Sequence, residues 1–199
     1  MNDHTVNDTS STKSHRTTIA HDVSGYEIFS SGDQGAAHVL AHHMVDTDQY
    51  ELGRRLLGHW LNGRTGSGSE WVHLHFHMAI FELATDHWEA AHRRYLDHVL
   101  PTAASSEDAL TDAPALLWRL ALSAPDGTKL EWEPLRQTAL KRMRRPSDPF
   151  IELHNLLALA GAGDLRSLDA YVNSRTADSF RMRLVRTLAT ALSAFVEGH

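Results

Sequence analysis

Residues 77–90 read HMAIFELATDHWEA, an apolar helical run that is followed at once by the start of a second helix. Apolar residues recur every three or four positions before Thr85, which is the period of an amphipathic helix. The string Asp86-x-x-Glu89 is typical of a helix N-terminus. The stretch therefore predicts a helical hairpin.

The same pattern recurs along the chain, with a histidine nine or ten residues before an aspartate. His38 precedes Asp48 by ten residues, and His154 precedes Asp164 by ten. We expect each aspartate to cap the second helix of a hairpin. The predicted helices cover about residues 33–45, 48–63, 67–84, 86–99, 112–124, 134–145, 149–161, from 164 onward, and 177–196.

These hairpins repeat every 36 to 42 residues or so, close to the period of tetratricopeptide repeats. One hairpin cannot bury its own apolar face, so successive hairpins should stack. The predicted fold is all-α, a tetratricopeptide-like superhelix of about four antiparallel hairpins with a C-terminal capping helix. We expect residues 1–30 to be a disordered tail and residues 31–199 to be a single helical-repeat domain.

Composition narrows the possible functions. The 199 residues carry a formal charge of −6 and contain no cysteine. The negative charge disfavours nucleic-acid and membrane partners, and the lack of cysteine excludes thiolate metal sites. No apolar stretch is long enough to span a membrane, and the first residues lack the apolar core of a signal peptide. These features predict a cytoplasmic protein.

Histidine is unusually frequent, with 15 residues. His38 and His42, like His73 and His77, are four residues apart, which places both rings of a pair on one face of a helix. The repeat register predicts that the helices of the two pairs are neighbours. Four imidazoles would then be able to bind one transition-metal ion, such as zinc, iron, copper or manganese.

Further residues follow from the same register. Asp112 should lie beside His73 and could add an oxygen ligand, and Glu82 would complete or flank the site. We predict Asp112 and Glu82 as catalytic residues. Trp118, Arg119 and His154 are predicted to line the substrate side of the concave groove. Each also has a structural interpretation: Trp118 and His154 as core residues, and Arg119 as half of an ion pair.

Several strings resemble the tetratricopeptide repeat protein 38 family. Residues 112–120, DAPALLWRL, are similar to its DAxSLLWRL segment, and residues 73–83, HLHFHMAIFEL, to its HNWWHLALFHLE segment. The segments 37–42 and 150–163 also have counterparts, so that the resemblance covers about residues 36–172 and matches His38, His42, His73, His77 and His154.

The resemblance implies an all-helical repeat fold. It adds little about chemistry, because the family's activity is poorly defined. Family members are about twice as long, so the resemblance implies that this chain corresponds to the C-terminal half. The family segment has a further histidine in its LFHLE string, and this chain has Glu82 at about that position.

Two main functions remain open from the sequence. One is a histidine-rich metalloprotein, a small metal-dependent enzyme that acts on a small molecule in the concave groove. The alternative is a repeat module that binds a peptide or protein partner without catalysis. Histidines acting as metal-free acids and bases are a third possibility. The long last helix could also support a homodimer.

Overall fold

The computed structural model describes residues 32–105, 111–144, 148–174 and 179–198. Every regular element in these ranges is helical, so the all-α prediction is confirmed. The pattern of contacts within the chain divides the protein into two compact units, residues 1–65 and 66–199. The predicted tail lies outside the described residues. Within them, no helix is both long enough and apolar enough to cross a membrane.

The first unit contains one helical hairpin, formed by α1 (Gln34–Asp46) and α2 (Tyr50–Leu61). The side chain of Asp33 accepts a hydrogen bond from the backbone N–H of Ala36, which caps the start of α1. A stripe of small and flexible side chains on α1 is buried: Ala37, Ala41 and Met44. The two helices pack against each other.

The second unit contains the remaining helices. They are α3 (Ser69–Ala84), α4 (Trp88–Arg94), a π turn (Tyr95–Val99), α5 (Leu100–Ser105), α6 (Asp112–Leu122), α7 (Trp132–Arg142), α8 (Pro149–Gly161), α9 (Leu165–Ser174) and α10 (Phe180–Glu197). Helix α3 packs against α6, α6 against α8, and α8 against α10. The hydrophobic core of this unit includes seven fully buried leucines: Leu116, Leu117, Leu120, Leu135, Leu156, Leu159 and Leu168.

At the first two hairpin turns, the aspartate does not have the predicted capping role. Asp48 and Asp86 do not cap the helices that follow; they adopt left-handed backbone conformations, with φ of 56° and 62°. Each terminates the preceding helix, and Gly163 (φ 69°) does the same after α8. In all three turns the next residue's N–H bonds a carbonyl five residues back, as in a Schellman motif.

This turn geometry also corrects the repeat register. His77 and His154 each lie nine residues before the left-handed residue, whereas His38 lies ten before it. One residue corresponds to about 100° around a helix, so His38 is not equivalent to the other two. The histidine-to-turn spacing of the first hairpin therefore differs by one residue from that of the other two.

Helix α4 continues past the predicted end at Val99, through the π turn into α5. Pro101 lies just after this turn. Proline lacks an N–H and its ring crowds the carbonyl four residues back, so it disturbs an ordinary helix. The wide turn, in which the N–H of Leu100 bonds the carbonyl of Tyr95, coincides with this disturbance. The chain is thus helical beyond the predicted end, through Ser105.

Asp164 does cap a helix, as predicted. Its carboxylate accepts hydrogen bonds from the backbone N–H and the hydroxyl of Ser167 and from the guanidinium of Arg136. Burial alone would raise the pKa of Asp164, but these hydrogen bonds outweigh it and lower the pKa. The residue therefore joins α7 to the start of α9.

We expect Asp164→Ala to lower the free energy of unfolding by about 0.5–2 kcal/mol at pH 7, the usual cost of losing a helix cap. Since the folded-state pKa is depressed, this contribution is present above the ordinary aspartate pKa. It is lost as the pH falls through the lower folded value. Urea denaturation at pH 7 and pH 3 measures the difference. Asp169→Ala, an exposed carboxylate on the same helix, is the control; an equal effect of both variants would contradict the prediction.

Candidate metal centre

The first unit presents one histidine pair on α1. The Nε2 atoms of His38 and His42 are 3.0 Å apart, with ring centroids 4.7 Å apart. His38 is half-buried and His42 is exposed. The four-residue spacing brings both rings to one helix face, as the sequence predicts.

The second unit presents an equivalent pair on α3. The Nε2 atoms of His73 and His77 are 3.1 Å apart, and the two rings meet edge to face. His77 is buried, and His73 is partly covered by Phe76, whose ring stacks on it. From the start of α6, Asp112 reaches the other side of His73, with 2.7 Å between Oδ2 and Nδ1. His73 and Asp112 are therefore neighbours, as the sequence predicts.

In each pair, the short nitrogen–nitrogen distance allows two chemical states. One ring can donate an N–H to the lone pair of the other. Alternatively, both nitrogens can present lone pairs to a common cation. In the second pair, the Asp112 carboxylate engages Nδ1 of His73, which leaves Nε2 facing His77.

Glu82 lies in a separate polar cluster of the second unit. Its carboxylate is buried and accepts two hydrogen bonds from Arg94, at 2.9 and 2.7 Å. Arg94 also bonds Nδ1 of His75, whose ring stacks on that of His98 with centroids 3.8 Å apart. The structure thus pairs Glu82 with a guanidinium rather than with the histidine pair.

The environment of this cluster keeps His75 neutral at pH 7. Burial lowers the pKa of His75 to about 3, with further contributions from the charges of His98 and Arg94. Burial also lowers the pKa of His98. Sequence reasoning missed the link from Glu82 to Arg94, because a twelve-residue separation across a hairpin has no periodic signal.

His154 is buried on α8, and its Nδ1 donates a hydrogen bond to the carbonyl of Phe150. Burial lowers the pKa of His154, although that hydrogen bond opposes the shift. A buried histidine bonded to its own helix is the structural interpretation that the sequence allowed. The negative charge of Asp112 also opposes the lowering of the His154 pKa.

Trp118 and Arg119, the other predicted substrate residues, have different environments. The indole N–H of Trp118 donates to the carbonyl of Leu157 at 2.8 Å, which ties α6 to α8. Trp88 makes the same kind of bond to Leu120 of α6. Arg119 is exposed; it bonds the carbonyl of Ala115, and its guanidinium lies 6.0 Å from the centre of the Phe76 ring. Arg119 is thus the more accessible of the two.

A shallow apolar hollow of about 240 Å³ lies between α8 and α10. Phe150, Leu153, Leu184 and Leu188 line it, and three of these side chains are substantially exposed. This hollow could not be predicted, because the sequence pattern of α10 indicates only an amphipathic helix.

No family model, curated protein or solved structure matches this chain. The resemblance to the tetratricopeptide repeat protein 38 family therefore stays a prediction from the sequence.

Proposed function

We propose that the chain is a helical-repeat metalloprotein in which the imidazoles of His38, His42, His73 and His77 bind one transition-metal ion. In this proposal each unit contributes one histidine pair to the ligand set. The observation that carries the proposal is that each pair holds two ring nitrogens about 3 Å apart on one helix. At that distance both nitrogens of a pair can present lone pairs to a common cation.

The spacing within each pair fits two ligands of the same ion. Imidazole nitrogens bind zinc at about 2.0–2.1 Å, so two of them at bond angles of 90–109° are about 2.9–3.4 Å apart. The separations here are 3.0 Å and 3.1 Å. Because the chain has no cysteine, the ligand set is nitrogen-based and suits zinc, iron, copper or manganese.

Such an ion supplies a Lewis acid that can polarise a bound molecule or activate water. We propose that the protein is an enzyme for a small molecule, with the residues near the histidine pair of α3 shaping the substrate side. Arg119 offers an exposed positive charge for an anionic group, and neutral His154 can take part in proton transfer. Asp112 belongs to the same site, because its carboxylate contacts Nδ1 of His73.

We further propose that the hairpins form a tetratricopeptide-like array and that the protein is cytoplasmic. Successive packing of α3, α6 and α8, the first helices of their hairpins, supports the array. First helices line the concave surface of such arrays. His73, His77 and Asp112 all lie on these helices, so the array would give the substrate a groove.

Elemental analysis of the purified, untagged protein tests the proposal. We expect about one equivalent of a transition metal per chain. Either double variant, His38→Ala/His42→Ala or His73→Ala/His77→Ala, should abolish stoichiometric binding, because two imidazoles alone bind weakly. His43→Ala/His59→Ala, which removes two other exposed imidazoles from α1 and α2, is the matched control and should keep the metal.

Two results would contradict this assignment. Metal-free wild-type protein that takes up no zinc, iron, copper or manganese on addition would reject the metalloprotein, and a peptide-binding repeat module would then be the better interpretation. Full retention of the metal in one of the double variants would reject the four-imidazole ligand set.

A further inference from the structure

Asp112 occupies a defined place beside one of the proposed ligands. Its Oδ2 lies 2.7 Å from Nδ1 of His73, and the two side chains are 18% and 25% exposed. A carboxylate can only accept hydrogen bonds, so the Nδ1 atom of His73 must carry the proton. In neutral His73 the lone pair is then on Nε2.

The position of that lone pair matches the proposed site. Nε2 of His73 faces Nε2 of His77 at 3.1 Å, on the side of the ring opposite the carboxylate. The stacked ring of Phe76, nearly parallel at 8°, restricts rotation of the imidazole out of this plane. The carboxylate and the phenyl ring together fix both the tautomer and the orientation of His73.

We infer that Asp112 is a positioning residue, which holds His73 as the Nδ1–H tautomer so that Nε2 binds the metal, and that Asp112 is not itself a ligand. Carboxylate–histidine–metal arrangements of this kind raise ligand basicity and typically contribute 10–100-fold to metal affinity. The inference replaces the oxygen-ligand role that the sequence predicted for Asp112. The expected effect on metal affinity rests on the proposed metal site, whereas the contact between Asp112 and His73 does not depend on it.

Metal competition with a chromophoric chelator provides the first test, with zinc as the probe. We expect Asp112→Ala to weaken zinc binding about 10–100-fold while the stoichiometry at saturation stays unchanged. Asp112→Asn keeps an oxygen that can accept the Nδ1 proton, so it should lose less affinity than Asp112→Ala. Thr111→Ala changes the adjacent residue, whose side chain makes no capping bond to α6, and should bind zinc like the wild type.

Cobalt(II) as a spectroscopic substitute for zinc separates positioning from ligation. If Asp112 only orients His73, the visible absorption spectrum of the cobalt-loaded Asp112→Ala variant should match that of the wild type. Loss of an oxygen ligand would change the coordination and therefore the spectrum. A changed spectrum, or unchanged zinc affinity in Asp112→Ala, overturns the inference.

Nitrogen-15 NMR of the metal-free protein provides a readout that does not depend on the proposed function. His73 should be in the Nδ1–H form in the wild type and shift toward the Nε2–H form in Asp112→Ala. A wild-type protein that binds no metal would reject the proposed function but leave this result standing. An Nε2–H tautomer of His73 in the wild type would reject the inference alone.

Discussion

Arg94→Met is expected to lower the free energy of unfolding by about 3–5 kcal/mol, the range for breaking a buried ion pair by removing one partner. The guanidinium makes two hydrogen bonds to Glu82, whose side chain is only 6% exposed. Without Arg94 the carboxylate keeps its desolvation cost and loses its opposite charge. The change also removes the hydrogen bond to His75.

Urea denaturation followed by circular dichroism measures this loss. Arg93→Met is the matched control, because it removes the same charge from an exposed neighbour in α4 and should change stability by less than about 0.5 kcal/mol. The double variant Glu82→Leu/Arg94→Met should recover most of the loss, since no unpaired charge then remains buried. A loss in Arg94→Met no larger than that of Arg93→Met would contradict the prediction.

Gly161→Ala is expected to destabilise the protein by about 1–3 kcal/mol, although helix propensity alone predicts a gain of up to about 1 kcal/mol. A β-carbon at Gly161 would collide with the ring of Trp132, the first residue of α7. That ring cannot move freely, because it packs against Trp118 with ring centroids 5.4 Å apart. The steric cost therefore outweighs the gain in helix propensity.

Thermal and urea unfolding of two further variants make this result interpretable. Gly35→Ala lies in α1, where an added β-carbon meets only ordinary van der Waals contact, and it should be neutral or stabilising. Trp132→Leu reduces the obstructing ring, so Gly161→Ala should cost less in that background than in the wild type. A stabilised Gly161→Ala protein would show that the close approach of the ring is not maintained.

The helical segments could be predicted because their signals are local. Pro149 after Asp148, the Ala124–Gly127 turn and the apolar periodicity each act within a few residues, and the corresponding helices begin and end close to the predicted positions. The turns at Asp48 and Asp86 were misassigned because aspartate can cap a helix or adopt a left-handed conformation, and the sequence does not distinguish these roles.

The candidate site was predictable only in part, for a similar reason. A four-residue spacing determines that His73 and His77 share a face, so the pair followed from the sequence alone. The partner of Glu82 depends on how α3 packs against α4, and the side of His73 that Asp112 contacts depends on how α3 packs against α6. Such contacts depend on crossing geometry and side-chain rotamers, which the sequence pattern does not specify.

Because of the π turn before Pro101, side chains that are four residues apart along this helix all face the core. Tyr95, Val99 and Ala103 are all fully buried, although two steps of four residues along a regular α-helix would rotate a side chain about 80° away from its starting direction. The wider turn takes up one additional residue and cancels much of that drift. The segment is therefore equivalent to an ordinary helix that has accommodated a single-residue insertion without exposing its apolar face.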